Sequence, residues 1–261
     1  MSQVKYISHL DMTRALPRAF RRARIKLGYS QGFHPMPLIQ YGPALGVGCE
    51  GENELLEFHS PDRLTESDFL MRLNPVLPAG LQFRSLHLLL AEDPSLTKLI
   101  NRAEYIVGLD AVEIATALSR LSCRQGSEFK HQLAPGSSGA HQLSRTDTLE
   151  LHNSLVDRFL ARDSYMIVRA HKAKRQNVDV RRFTISLEVD VDSCLLRLVT
   201  LISPNGGVKP VEVVAAVYDL TDDEKLSLNS RIKRARLYSD DSSASAGEWI
   251  AVRGLPQGAQ V

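Results

Sequence analysis

The feature that most constrains this chain is the order of its short apolar segments. They read strand, helix, strand, strand, helix, strand, and then the same order again. Residues 4–7 alternate as a short strand. Residues 10–24 place Leu10, Ala15, Leu16, Ala19, Phe20 and Ala23 near a period of 3.6, which predicts a helix. Asp11 is the expected N-cap, Pro17 removes a donor and predicts a kink, and Gly28 predicts the stop. Residues 29–37 hold Gly32, Pro35 and Pro37 and read as a loop. Strands over 38–41 and 55–59 flank the glycine-rich stretch 42–51. Thr65 and Glu66 start a helix to Leu73, Pro75 and Pro78 end it, and 81–90 is a further strand.

The second round runs from a strand at 104–109 and a helix at 111–121. A polar stretch over 125–146, with Pro135 and Gly136, reads as a flexible insertion. A helix at 149–161 and strands at 165–170, 183–191 and 195–202 follow. A turn at 203–207 leads into a helix at 211–220, with Pro210 in its first turn, and 232–238 closes the round. The expected fold class is α+β: two ferredoxin-like (split β-α-β) modules over 1–98 and 103–238, with a mobile tail over 239–261. The repeat is one of element order, not of residues.

At 261 residues, 43% hydrophobic and 24% charged, the chain has the composition of a folded globular protein, which excludes wholesale disorder. Its apolar runs fall far short of the ~18 residues of a spanning helix, and residues 1–10 hold no apolar signal core. Cys49, Cys123 and Cys194 are odd in number and far apart, neither a disulfide framework nor a metal motif, so a cytoplasmic location is expected. Net charge is only +2 but unevenly spread: residues 1–50 carry +5, 51–104 carry −4 and 169–182 carry +5. Two basic segments on a near-neutral chain predict local anion-binding surfaces.

The first candidate surface is Ser8, His9 and Asp11 with Tyr29, Ser30, Gln31 and His34. A loop entering a helix presents free N–H groups and a positive dipole end. Arg14, Arg18 and Arg21 follow on one helix face, with Arg22 beside them. Such a surface suits a phosphate or an RNA backbone, with Tyr29, Phe33 and Tyr41 available to stack on bases. The same residue types also serve as caps and turn ties. Lys172, Lys174, Arg175 and Arg181, with Arg169 and Arg182, form a second basic segment, read as a contacting arm on a loop or as a solvated hairpin tip.

A Ser/His/Asp triad is disfavoured, because Ser8 and His9 adjoin on the expected strand and would point to opposite faces. His9 and His34 lack the further ligands a metal needs, so no metal is expected. As an acid–base pair they remain the weak catalytic candidates. The glycines at 42–51 match no nucleotide-binding pattern.

The runs Ile7-Ser8-His9-Leu10-Asp11 and Tyr29-Ser30-Gln31-Gly32-Phe33-His34-Pro35 resemble the bacterial radical-SAM-linked protein family, a domain of unknown function found fused to or encoded beside a radical SAM protein. The likeness continues through residues 39–48 and 52–57 and, more weakly, 179–181 and 209–213. Similar proteins usually carry a basic strand ahead of residues 4–7. Either the start is truncated here or the first module has lost a strand. The resemblance implies a radical SAM partner but supplies no catalytic residues. Its members' neighbouring genes, for ribonuclease E/G and ribosomal proteins, imply RNA work by association. This chain has no clustered cysteines to hold an iron–sulfur centre, so no cofactor of its own is expected.

The leading expectation is therefore an accessory, RNA-binding module presenting tRNA or rRNA to a radical SAM enzyme. The alternatives are an RNA-processing enzyme using His9 or His34, and a pure protein-docking module.

Overall fold

A computed structural model describes residues 3–90, 92–124, 145–171, 174–204, 206–240 and 250–254 and shows a mixed α+β protein. The chain divides into two compact units. Met1–Ala103 groups with Arg234–Val261, and Glu104–Lys233 forms the other.

The first unit opens with a 3-10 helix, Gln3–Tyr6, where a strand was predicted. Its apolar alternation is too short to impose a strand, and the Ile7 N–H closes a turn on the Val4 carbonyl at 3.0 Å. Helix α1 (His9–Arg22) follows and runs through Pro17, with Leu16, Ala19 and Phe20 buried. Its cap is Ser8, not Asp11. The Ser8 Oγ accepts the Asp11 N–H at 3.1 Å and donates to Asp11 Oδ2 at 2.7 Å. The helix ends six residues before Gly28. Arg24 takes the left-handed φ of 56° that stops it, and Arg72 donates to the freed carbonyls of Ala23 and Arg24. Gly28 instead donates its N–H to His59 O at 2.8 Å.

Strands β1 (Ile39–Tyr41), β2 (Glu50–Gly51) and β3 (Leu56–Ser60) and helix α2 (Glu66–Leu73), capped by Thr65, lie where the sequence placed them, apart from the unforeseen two-residue β2. Only the end of the 81–90 stretch is strand, as β4 (His87–Leu89). Helix α3 (Leu96–Leu99) was not foreseen. Its first N–H donates to the buried Glu57 carboxylate at 2.8 Å. The core joins the α1 residues to Phe58, Phe69, Leu73 and Phe83. Phe20 sits edge-on to Phe58 at 4.8 Å, and Phe58 stacks on Phe69 at 5.6 Å.

The second unit holds most of β5 (Arg102–Gly108), then α4 (Val112–Arg124) and α5 (Arg145–Leu160). The expected insertion lies outside the described residues over 125–144, while Arg145 and Thr146 already belong to α5. A two-stranded hairpin, β6 (Met166–His171) and β7 (Lys174–Asp179), pairs with Met166 opposite Asp179. One turn of helix, α6 (Val180–Phe183), precedes β8 (Thr184–Asp190), so Phe183 does not begin the strand as predicted. Asp179 caps α6 by accepting the Arg181 N–H at 3.1 Å. Strand β9 (Leu195–Ser203) pairs antiparallel with β8 and with β10 (Gly206–Gly207). Helix α7 (Pro210–Tyr218) starts on Pro210 as expected, and α8 (Asp222–Leu228) is an addition.

Strand β11 (Ile232–Tyr238) crosses back into the first unit. The tail expected to be mobile contributes β12 (Ile250–Gly254). It lies inside the first unit's sheet, whose order is β1-β3-β12-β4. Among the described residues no helix is long and apolar enough to cross a membrane.

Candidate functional site

Helix α1 turns one side to the core and the other to solvent. At 100° per residue, Arg14, Arg18 and Arg21 fall within an arc of about 60°. That arc is opposite the stripe formed by Leu16, Ala19, Phe20 and Ala23, which is buried. All three arginines are exposed, and among the described residues none has an ion-pair or hydrogen-bond partner. Leu10, on the same side, is 57% exposed. Arg22 is already committed, donating to the Val76 carbonyl at 2.7 Å.

The loop at 29–37 is built rather than slack. Tyr29 and Pro37 form an antiparallel bridge. Ser30 closes the loop twice: its N–H donates to Met36 O at 2.9 Å, and its Oγ accepts the Met36 N–H at 3.0 Å. Gly32 has φ +133°, a conformation that side chains rarely adopt, so glycine is required at this turn. The closed loop presents Phe33 fully exposed, with Gln31 and His34 also in solvent and Tyr29 46% exposed. Ser30 is thus the tie that shapes the loop, while Gln31, Phe33 and His34 are its presented groups.

A cleft of about 460 Å³ opens beside the start of α1, lined by Ser8, His9, Tyr41, Cys49 and Arg84 among others. His9 lies edge-on to Tyr41, ring centroids 5.4 Å apart. Burial pushes the Tyr41 phenol up to about 12 and the Cys49 thiol up to about 11. Burial therefore favours the protonated form of both groups at neutral pH. Behind the cleft, Arg234 is buried and grips both carboxylate oxygens of Glu54, with Nε–Oε1 at 2.8 Å, and donates to Pro43 O at 2.8 Å. Asn53 adds a bond to Ala235 O at 2.9 Å. These ties fix the glycine-rich 42–54 segment onto β11. Sequence reasoning missed Arg234, because its partner lies 180 residues away.

The second basic segment meets a different fate. It is a hairpin, not a loop. Arg169 makes a two-pronged pair with Glu212, at 2.9 and 2.6 Å, and donates to Gly207 O. Arg181 donates to the carbonyls of Leu160 and Thr184 at 3.1 and 3.0 Å. Its guanidinium already serves the fold. Lys174 and Arg175 lie on β7, where Arg175 is exposed. Lys172 lies outside the described residues. Among the described residues no group of three or more metal-ligating side chains occurs.

Residues 1–210 match a family described as "Uncharacterized protein conserved in bacteria (DUF2344)". No curated protein matches the chain, and neither does any solved structure.

Proposed function

This chain belongs to the DUF2344 family of uncharacterized bacterial proteins, and we propose that it acts there as an RNA-binding accessory module. The observation that carries this reading is the exposed face of Arg14, Arg18 and Arg21, three charges with no partner among the described residues. A folded chain ordinarily pairs or disperses such charges, and an unengaged cationic stripe suits a phosphate backbone. Phe33, held out on the closed loop, supplies an aromatic face for an unpaired base.

The partner in this proposal is a radical SAM enzyme, to which the module presents tRNA or rRNA in the cytoplasm. That part rests on the resemblance of the 7–11 and 29–35 motifs. The ferredoxin-like reading also belongs here. In the first unit it rests on β3 and β4, which are joined through α2 and run parallel with one strand between them, although that strand, β12, is parallel to both where a split β-α-β unit has an antiparallel one.

The test is a mobility shift of tRNA and rRNA fragments at physiological salt, against Arg14/Arg18/Arg21→Ala. Saturable binding is expected, with loss in the triple variant. For single-stranded RNA, removing three phosphate contacts lowers the slope of log K against log salt by about 2. Absence of binding overturns the RNA reading and leaves a protein-docking module.

A further inference from the structure

We propose that the cleft beside the start of α1 is a nucleobase site, which takes the uncharged, planar ring of a nucleoside, free or carried by RNA. At about 460 Å³ it has the size of a small-molecule site, and all its lining residues belong to the first unit. Its walls come from three stretches of chain, 4–16, 41–56 and 80–85. Each is tied to another. The Gly48 N–H donates to Lys5 O at 2.7 Å, and Arg84 donates to Asn53 Oδ1 at 2.9 Å. Arg234 and Asn53 hold the middle stretch onto β11. Walls fixed in this way form the pocket before its ligand arrives, which lowers the cost of binding.

The lining selects the chemistry. Met12, Leu16 and Phe83 supply apolar surface. The cations are already engaged: Lys5 pairs with Glu50 at 3.7 Å, Arg84 donates to Asn53, and Arg234 behind the cleft holds Glu54. Glu50, Glu52 and Glu54 all line it, so a phosphate or carboxylate entering it would meet carboxylates. An uncharged ligand fits these walls best. Two lining groups have no hydrogen-bond partner among the described residues, the Tyr41 hydroxyl and the His9 imidazole. Their rings stand at 81° to one another. Burial favours the protonated phenol, so Tyr41 both donates and accepts. A histidine ring is a stacking partner for an unpaired base. A nucleobase is uncharged and planar and carries donors and acceptors on its edge, so it answers both groups at once. An aliphatic ligand answers neither. The site is separate from the arginine face. At 100° per residue, His9, Met12 and Leu16 lie roughly half a turn round α1 from Arg14, Arg18 and Arg21.

The experiment titrates the full-length chain with adenosine, guanosine, cytidine and uridine, read by calorimetry and saturation-transfer NMR. Saturable binding of at least one is expected, with a Kd on the order of 0.1 mM. Tyr41→Phe keeps the ring and removes the hydroxyl, and a loss of about tenfold is expected. His9→Ala removes the stacking ring, with a loss of about tenfold or more. His9 is exposed, so its variant tests the site even if Tyr41→Phe folds poorly. No saturable binding by any of the four overturns the proposal, and so does binding that is unchanged in both variants. Equal competition by cyclohexanol, which has a hydroxyl but no planar ring, overturns it as well. A short unpaired RNA of the preferred base then names the source. If its affinity falls along with the nucleoside's in His9→Ala, the base is carried by RNA; if it does not, the ligand is the free nucleoside. The nucleoside titration does not involve the arginine face, so it succeeds or fails apart from the mobility shift.

Discussion

Residues 1–50 and 169–182 both carry a net +5, yet the structure spends those charges differently. On α1, Arg14, Arg18 and Arg21 face solvent without partners among the described residues, because the core-facing stripe lies opposite them. In the second unit, Arg169 is bound to Glu212 and Arg181 to two backbone carbonyls. A guanidinium carries five donors in a planar fork, so it suits either duty. A charge sum cannot tell a ligand-facing arginine from one that holds the fold. Only the partners can.

That contrast is sharpest at its structural extreme, Arg234. Replacing it with alanine strands Glu54, frees Pro43 O and loosens the 42–54 segment. Because the Glu54 side chain is 40% exposed and can rehydrate, the loss is expected at the lower end for broken buried pairs, about 3 kcal/mol. Chemical denaturation of Arg234→Ala measures it. A loss below a few tenths would show that burial does not mark a structural arginine.

Acid should distinguish the second unit's core in a similar way. His152 is buried, its Nδ1 2.9 Å from the Tyr218 hydroxyl, and burial pushes its pKa down to about 4. The unfolded chain takes up that proton near 6.5, so the contribution is whole above that pH and is lost as pH falls toward 4. The slope is up to about 1.4 kcal/mol per pH unit. Stability measured across that window in the native chain and in His152→Gln checks it, the acid-side slope being expected to flatten in the variant.

Arg181→Ala leaves the Leu160 and Thr184 carbonyls short of a donor, which costs about 1–3 kcal/mol by calorimetry, with no loss of RNA affinity expected. A variant that melts normally but binds RNA poorly would return Arg181 to the contact surface and dissolve the comparison. The smallest effect on stability belongs to Arg14/Arg18/Arg21→Ala, within about 0.5 kcal/mol, since exposed side chains without partners carry little of the fold. A large drop in its melting temperature would mean that those arginines hold the fold after all.

What could be read in advance follows the range of the interaction. The period of Leu16, Ala19 and Phe20 located α1 and its arginine face, and Thr65 marked the start of α2, because both signals lie within a few turns of backbone. The cap of α1 was misplaced by three residues. Ser8 and Asp11 both carry cap-forming side chains, and the bond between them decides which one acts. The α1 stop at Arg24 was hidden because Arg72, 48 residues on, satisfies the carbonyls that a glycine motif would otherwise serve. The 4–7 stretch was read as strand from alternation alone, which four residues cannot establish against a local turn.

By itself the sequence determined the α+β class, the helix that carries three arginines on one side, and a loop whose glycine and prolines force it to turn. These depend on local periodicity and backbone restriction, which neighbouring residues impose. Tertiary structure decided which arginines remain unpartnered, which segment completes the first unit's sheet, and where Arg234 finds Glu54. Those outcomes join residues separated by as many as 194 positions, Leu56 and Ile250, and no local pattern encodes a partner so distant.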